Sequence, residues 1–255
     1  MDPDFASLPA DQLNPNAAVF VPIGSIEIHG PSLPTATDTF IAMAFARKFA
    51  QKVEGLALPP VFVGVCPNTN RFTGTVSVTH AGFMAYIKGL CLSLIHQGVR
   101  EIILVNIHGG NDAPLKIVVE EIFSEAGHPI YYLNPYTIKK EQFDPLFFDG
   151  VDNSYKEAAL LLASLQILGL DEIRSSLPEI EEDQQVSRPE ELNTLRRQGY
   201  VGFAYDQEAQ HIAGRKNVDL EVGLKYIDQV TEAIPELIAS LSKHVKRYGK
   251  LDRGK

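Results

Sequence analysis

Short apolar runs alternate with longer amphipathic segments along this chain. AVFVPIG (18–24) and EIILVNI (101–107) are near-continuous apolar runs rich in β-branched residues, which predicts strands buried on both faces. LALPPVFVG (56–64) and HPIYYLN (128–134) are predicted to be further extended segments. Helical spacing and capping residues predict helices over 37–53 with Thr37 or Asp38 as cap, from Thr79 to near Gly98, from Asn111 to Gly127, over 156–169, and over 219–247 with a break at Pro235.

The order of these elements predicts the fold class. Strands that alternate with helices imply βαβ units and a mostly parallel sheet between helical layers. We therefore expect an α/β protein with a three-layer α/β/α sandwich. The acidic stretch 171–198 is predicted to be a surface excursion. No linker or internal repeat divides the sequence, so residues 1–255 are expected to form one domain.

Composition excludes several function classes. The formal net charge of −9 leaves no basic stripe to neutralise phosphates, which argues against nucleic-acid or anionic-membrane partners. Cys66 and Cys91 form no CxxC pair, and we expect both to be buried, reduced thiols. Since the sequence has neither a signal peptide nor an apolar run of about 18 residues, we expect a cytoplasmic protein.

The segment PIGSIEIHGPSLPTATD (22–38) carries the most informative chemistry. It places Glu27, His29 and Asp38 close together after a predicted strand. Carboxylates combined with imidazole are a ligand set for divalent metals. Glu27 and His29 are two residues apart, so an extended backbone would point them to the same side. Taken alone, Asp38 can also be a helix cap and His29 a hydrogen-bonded loop histidine.

A second segment, VNIHGGND (105–112), follows the other clear strand. His108 leaves that strand at its carboxyl end, which is where ligands bind in parallel sheets. Gly109 and Gly110 allow a tight turn and close approach of a ligand to the backbone, although such glycines occur in many loops. The two segments together predict a two-metal hydrolase site.

These motifs resemble a known family. GSIEIHGPSLPTATD (24–38) is similar to GSTEQHGPHLPLGTD, and NIHGGN (106–111) is similar to NGHGGN, both of the creatininase-like amidohydrolases. FTGTVSVT (72–79) is similar to the family segment FPGTISL, and the resemblance covers roughly residues 18–165. It implies an α/β/α fold, a homohexamer and two divalent metal ions per chain, with zinc, manganese and iron all compatible with the ligands.

The resemblance also implies a role for each ligand. Glu27 and His108 would hold one metal ion, His29 would hold the other, and Asp38 would bridge them. When EAALLLA (157–163) is aligned with the family's ETSLMLA, Glu157 takes the position of a further ligand to the second ion. Glu157 can equally be a helix first-turn residue favoured by the helix dipole.

The same alignment shows a departure from the family pattern. Asp152 stands where the family has a proton-shuttling histidine, in a segment of the form HAGEXETS. Either Asp152 is the general base, or another group takes that role, or the reaction differs. Asp152 and Glu157 are therefore the predicted catalytic residues. His80 and His211 are further candidates, and each can instead be a structural or surface residue.

The expected chemistry is hydrolysis at a carbonyl. Two metal ions about 3.5 to 4 Å apart can share one water, lower its pKa and present it as a bridging hydroxide to the carbonyl carbon. The backbone amides of Gly109 and Gly110 would stabilise the resulting oxyanion. Asn70 and Arg71, in the polar loop CPNTNRFTG (66–74), are predicted to contact the substrate, although a solvated loop is the alternative.

The substrate is expected to be a small polar cyclic molecule. Hydrolysis of a non-peptide C–N bond, in a cyclic amide or a formamide, is the leading reaction. Creatinine itself is disfavoured because the chain has no Trp, whereas creatinine-specific members close Trp side chains over the ring. Two alternatives stay open: hydrolytic C–C ring opening of a keto-sugar or keto-inositol, and a catalytically silent member that binds metal.

Overall fold

The protein is built around a parallel sheet. The computed structural model describes residues 4–14, 16–184, 187, 189–199, 202, 205, 207 and 210–248. Within these residues the sheet has the strand order β2–β1–β3–β4, and all neighbouring strands are parallel. The strands are β1 (Val19–Ile23), β2 (Leu56–Ala57), β3 (Ile102–Asn106) and β4 (Tyr131–Leu133).

Helices cover both faces of this sheet. On one face α1 (Thr37–Val53), α5 (Asn153–Leu168), α8 (Leu220–Glu232) and α9 (Ile234–Tyr248) enclose a core that includes Phe45, Leu160 and Tyr226. On the other face α2 (His80–His96) and α3 (Asp112–Ala126) enclose a second core around Phe83 and Leu115. The described residues also include the shorter helices α4 (Lys140–Phe147), α6 (Asp171–Ser175) and α7 (Glu190–Gln198). The predicted α/β/α sandwich is confirmed.

Strand order places a ligand-binding crevice between β1 and β3. From β1 the chain crosses to β2 on one side and then to β3 on the other, so the direction of winding reverses between β1 and β3. In open parallel sheets such a switch point leaves a crevice beyond the carboxyl ends of the two strands. The pairing of Ile23 with Asn106 brings these two ends level, and the segments that follow both strands carry the predicted ligands.

The structure refines three local predictions. The predicted extended segment 56–64 is a strand only at Leu56–Ala57 and pairs with β1 again at Val61, because Pro59 and Pro60 lack the N–H groups that a continuous ladder requires. Neither Thr37 nor Asp38 caps α1, since Ala36 is the N-cap residue and makes no side-chain cap bond. Asn111 precedes α3 without a side-chain cap bond, because its amide is used elsewhere.

The C-terminal helical segment and the cysteines agree with expectation. α8 ends at Glu232 and α9 begins at Ile234, so the break falls beside Pro235, which lies in the first turn of α9. Cys66 and Cys91 are both buried and unbridged. Among the helices in the described residues, none combines the length and apolarity needed to cross a bilayer.

Candidate metal centre

The predicted ligands meet at the crevice between β1 and β3. His108 Nδ1 lies 2.9 Å from Asp38 Oδ2 and 3.0 Å from Glu27 Oε1. His29 Nε2 lies 3.3 Å from the other oxygen of the same carboxylate, Asp38 Oδ1. Asp38 therefore presents one oxygen to each imidazole, which is the arrangement that a bridging ligand requires. All four residues are buried, with at most 6% of the surface of any of them exposed.

Outer hydrogen bonds fix the orientation of both imidazoles. His29 Nδ1 lies 3.1 Å from the carbonyl oxygen of Glu27, and His108 Nε2 lies 2.9 Å from that of Val65. A carbonyl can only accept, so these ring nitrogens donate, and the opposite nitrogens face the cluster, where each could offer a lone pair to a metal ion that displaces its proton. This pairing is usual for histidines that ligate metals, because it selects the tautomer with a free lone pair.

The carboxylates are oriented in the same way. Thr69 Oγ1 donates to Glu27 Oε2 at 2.6 Å, and Ser25 Oγ donates to Asp38 Oδ2 at 2.9 Å. Each bond occupies one lone pair and leaves others directed at the imidazoles. Since Asp38 lies in the first turn of α1, the helix dipole also favours its ionised form.

Asn111 connects the two motif segments behind the centre. Its side-chain oxygen accepts a hydrogen bond from Val65 N at 2.9 Å, and its amide donates to Gly24 O at 3.0 Å. Val65, held in this way through its N–H, carries the carbonyl that orients His108. Asn111 thus uses its amide to hold the loop rather than to cap α3.

Glu157 also reaches the cluster. It lies in the first turns of α5, its Oε2 is 3.8 Å from His29 Nε2, and its side chain is 13% exposed. Asn153 Nδ2 donates to its other oxygen at 2.7 Å. Within the described part of the chain, Glu157 Oε2 is buried without a hydrogen-bond partner. The structure therefore brings together all five predicted ligands.

The cluster includes a residue that the sequence offered only as a further catalytic candidate. His211 Nε2 lies 3.3 Å from Glu27 Oε1, and its ring meets that of His29 at a centroid distance of 5.4 Å. The ligand atoms of Glu27, His29 and His211 all lie within 4.8 Å of one another. No motif spacing marks this histidine, and only the missing family histidine at position 152 hinted that another was needed. His80, the other candidate, is exposed at the start of α2.

Cys66 lies on the opposite side of the same cluster. Its Sγ is 3.6 Å from His108 Nε2, and with Glu27 and His108 it forms a second group whose ligand atoms lie within 4.8 Å of one another. Burial raises the pKa of the Cys66 thiol. The neighbouring His108 lowers this pKa by less than burial raises it, so the thiol becomes a ligand only if a bound metal displaces its proton.

The other predicted site residues are divided between the cavity and the surface. Gly109 and Gly110 line a cavity of about 210 Å³ together with the ligands. Asn70 and Arg71 are exposed and do not line it, and Arg71 instead donates a hydrogen bond to the carbonyl of Tyr205. Their neighbours Asn68 and Thr69 in the same loop do line the cavity.

Asp152 does not enter this cavity. It is the N-cap residue of α5, where its carboxylate accepts a hydrogen bond from Tyr155 N at 3.0 Å. It also forms an ion pair with Arg215, and that guanidinium holds the pKa of the Asp152 carboxyl below its ordinary value. In this position Asp152 is not within reach of a substrate in the cavity, so the structure gives its predicted role as general base no support.

The carboxylates of the cluster raise the pKa values of both His29 and His108. Burial alone would lower the pKa of His29, but the charge and hydrogen bond of Asp38 and the charge of Glu157 outweigh it and raise that pKa to about 9. Burial likewise opposes the charged form of His108, yet its hydrogen bond with Asp38 keeps its pKa well above the ordinary value. In the metal-free protein both imidazoles are thus cationic partners of the carboxylates.

The pKa values of the carboxyl groups of Glu27 and Glu157 are shifted in opposite directions. Burial would raise the pKa of Glu27, but the hydrogen bond from His108 and the nearby imidazole of His211 hold it below its ordinary value. Burial raises the pKa of Glu157, and the charge of Asp38 raises it further. Glu157 is thus the carboxyl of the cluster that most readily holds a proton.

These residues fit divalent metal ions. Three buried carboxylates beside neutral imidazoles would compensate most of the charge of two such ions, and buried charge is retained only when it is compensated. Glu157 Oε2 and His211 Nε2 are buried, belong to cavity-lining residues, and lack hydrogen-bond partners among the described residues. A cation would satisfy both atoms. The mixed oxygen and nitrogen donors suit zinc, manganese or iron.

Comparison with known proteins now identifies the family. Residues 6–234 match the creatininase (creatinine amidohydrolase) family. The chain belongs to the creatininase family. The resemblance of the motif segments to this family is thereby confirmed.

Among curated relatives, similarity is limited to part of each protein. The creatininase homologue is 34% identical to the 3-dehydro-scyllo-inosose hydrolase of Thermotoga maritima over 92 residues, 36% of this chain and 30% of that protein. It is 32% identical to the mycofactocin precursor peptide peptidase of Mycobacterium ulcerans over 117 residues, 42% of this chain and 46% of that protein. The chain therefore matches less than half the length of each of these relatives.

Solved structures confirm the fold over nearly the whole chain. A mutant creatininase complexed with creatine superposes with a TM-score of 0.74 at 16% identity, covering 94% of this chain and 98% of that one. A mutant creatininase of Zn–Zn type superposes with a TM-score of 0.72 at 16% identity, covering 94% of this chain and 98% of that one. An Mn creatininase superposes with a TM-score of 0.67 at 17% identity, covering 92% of this chain and 98% of that one.

Metal affinity is expected to rise with pH between about 6.5 and 9. The folded pKa of His29 lies above its ordinary value of 6.5, so in this window a proton competes with the metal for Nε2. Each proton released on binding gives up to about a tenfold gain in affinity per pH unit. Chelator competition at several pH values, with proton release measured alongside, checks this.

The stability of the metal-free protein should instead fall as the pH rises. Because the folded pKa of His29 is raised, its contribution to stability is complete below pH 6.5 and is lost as the pH rises through about 9. Denaturant unfolding of the metal-free protein across this range measures that loss. A metal affinity independent of pH would show that the imidazoles do not bind the metal.

Proposed function

We propose that this creatininase homologue is a two-metal hydrolase that attacks the carbonyl of a small polar cyclic substrate and cleaves a non-peptide C–N bond. The observation that carries the proposal is the position of Asp38, whose two oxygens face His29 and His108 inside a buried cluster. Glu27 and His108 would hold one ion, His29 and Glu157 the other, and Asp38 both. The ions would polarise the carbonyl and lower the pKa of water to near neutrality.

The residues around the ions suit the remaining steps. A cavity of about 210 Å³ accommodates a small ring rather than an extended polymer. Gly109 and Gly110 line it, so their backbone amides are positioned to stabilise a developing oxyanion. Glu157 lies at the cavity beside the proposed ions, and we infer that its oxygen that does not hold the ion takes the proton released by the attacking water and passes it to the leaving nitrogen.

Ring opening of a cyclic keto-inositol is the second candidate. The relative from Thermotoga maritima, a 3-dehydro-scyllo-inosose hydrolase, favours it. The same carbonyl activation serves both reactions, since they differ in whether nitrogen or carbon leaves. Asn68 and Thr69 line the cavity and offer hydrogen-bonding groups that suit a polyhydroxylated ring.

A substrate panel tests these candidates with one metal-loaded preparation. The panel contains cyclic amides, formamides, creatinine, keto-inositols and short peptides. Mass spectrometry follows the products, because ring opening adds one water to the substrate whereas a formamide or a peptide is cleaved into two fragments. We expect turnover of a cyclic amide or formamide and none of creatinine. Turnover of keto-inositols alone would favour the second candidate, and turnover of peptides alone would contradict both.

A protein that binds two ions but hydrolyses nothing in the panel would support the catalytically silent alternative. The predicted homohexamer stays a prediction, and light scattering of the purified protein measures it directly.

A further inference from the structure

His211 belongs to neither motif segment, yet its imidazole faces the centre. Its Nε2 is buried and has no hydrogen-bond partner among the described residues, although Glu27 Oε1 is 3.3 Å away. One side of the ring meets His29, and the other meets Tyr205 at a centroid distance of 4.9 Å. An imidazole nitrogen held here without a partner has the chemistry and the position of a metal ligand.

The loop 210–216 that carries His211 is anchored to the start of α5. Ala213 N donates a hydrogen bond to Ser154 Oγ at 3.0 Å. Arg215 Nε donates to Asp152 Oδ1 at 3.1 Å, and Arg215 Nη2 donates to the other oxygen of the same carboxylate. This two-point pairing fixes the orientation of the Arg215 guanidinium as well as its distance from Asp152.

The same loop is packed against the first motif segment. A Cβ at Gly30 would lie 1.9 Å from the carbonyl oxygen of Ile212, and Gly30 has a φ of +70°. Only glycine fits this approach and this conformation without strain. The residue next to His211 is thus seated directly on the loop that carries Glu27 and His29.

The two anchors at the start of α5 are used for the loop and not for the cavity. Ser154 and Asp152 both hold the loop 210–216, and neither of them lines the cavity. The position of His211 therefore depends on the start of α5, which also carries Glu157.

We propose that His211 is a ligand of the metal centre on the side of Glu27 and His29, and that Asp152, through its ion pair with Arg215, is a positioning residue for it. This inference rests on the proposed function only in requiring that the centre binds a divalent ion. It does not depend on the substrate.

The test compares His211→Phe with wild type and with His96→Gln. Phe keeps a ring between His29 and Tyr205 but removes the ligand nitrogen, and His96 is an exposed histidine at the end of α2. Zinc affinity is measured by competition with a chromophoric chelator, and the absorption spectrum of the cobalt(II)-substituted protein reports the ligand set. If His211→Phe does not fold, as judged by circular dichroism, His211→Ala is used instead.

The proposal predicts weaker binding and an altered spectrum. Loss of an outer partner of a metal ligand costs roughly 10- to 100-fold in affinity, so His211→Phe should lose more than about 100-fold at one ion and change the cobalt spectrum. His96→Gln should match wild type. Wild-type affinity and spectrum in His211→Phe would overturn the assignment while leaving the two-metal centre intact, whereas a wild type that binds no ion would overturn both.

Asp152→Asn tests the positioning role. Asn is as good an N-cap as Asp, so α5 keeps its cap while the ion pair with Arg215 loses its charge. We expect about a 10-fold loss of affinity at the same ion. Unchanged affinity in Asp152→Asn would overturn the positioning role.

Discussion

Asp38→Asn should abolish both metal loading and turnover. Asn preserves the shape of the side chain but removes its charge and presents an NH2 group to one of the two imidazoles that Asp38 now faces at 2.9 and 3.3 Å. A neutral amide cannot bridge two cations. Bound metal should fall from two ions to at most one, and turnover of any substrate found in the panel should fall at least about 1,000-fold.

The matched control for this variant is Asp228→Asn. Asp228 lies on α8, where its carboxylate is 62% exposed and paired with Lys48. Asp228→Asn makes the same chemical change on the surface and should leave metal content and turnover at wild-type values. Retention of two ions by Asp38→Asn would contradict the bridging role, and full turnover without bound metal would contradict the mechanism.

Gly110→Ala should disrupt the centre from the backbone side, whereas Gly109→Ala should not. A Cβ at position 110 would lie 2.0 Å from Val65 O and 2.5 Å from His108 Nε2. These are the two atoms that form the orienting hydrogen bond of His108. Val65 cannot move away easily, because Asn111 holds its N–H. A Cβ at position 109 would have no heavy atom within 4 Å.

The expected effects of Gly110→Ala follow from that overlap. Overpacking of this kind costs about 1 to 3 kcal/mol, which corresponds to a Tm lower by roughly 3 to 10 °C, and metal content should fall because His108 is displaced. Thermal unfolding and elemental analysis of both variants measure this. Equal Tm and equal metal content in Gly110→Ala and Gly109→Ala would refute the role given to this close approach.

The sheet and the main ligands could be predicted because local sequence determines them. β1 and β3 are apolar runs that only a doubly covered sheet can bury, and their carboxyl ends meet at a switch point. Glu27, His29 and His108 follow those strands directly, so their convergence depends on few intervening residues. β2 ends at Ala57 because Pro59 and Pro60 have no N–H groups to donate to the sheet.

Long-range contacts could not be predicted in this way. His211 reaches the centre because Arg215 pairs with Asp152, 63 residues earlier in the chain, and no periodicity records such a pairing. The motif resemblance that singled out position 152 could not show that the Asp152 side chain turns to Arg215 and away from the cavity. Asp38 was considered as a helix cap because a first-turn carboxylate fits both roles until its partners are known.

Metal content per chain tests the central claim most directly. It is measured by elemental analysis of wild-type protein purified without added metal or chelator, and again after incubation with zinc or manganese. The two-metal account predicts close to two ions per chain in the loaded protein. One ion or none, with no further uptake from excess metal, would contradict it and leave the creatininase fold without the chemistry proposed for it.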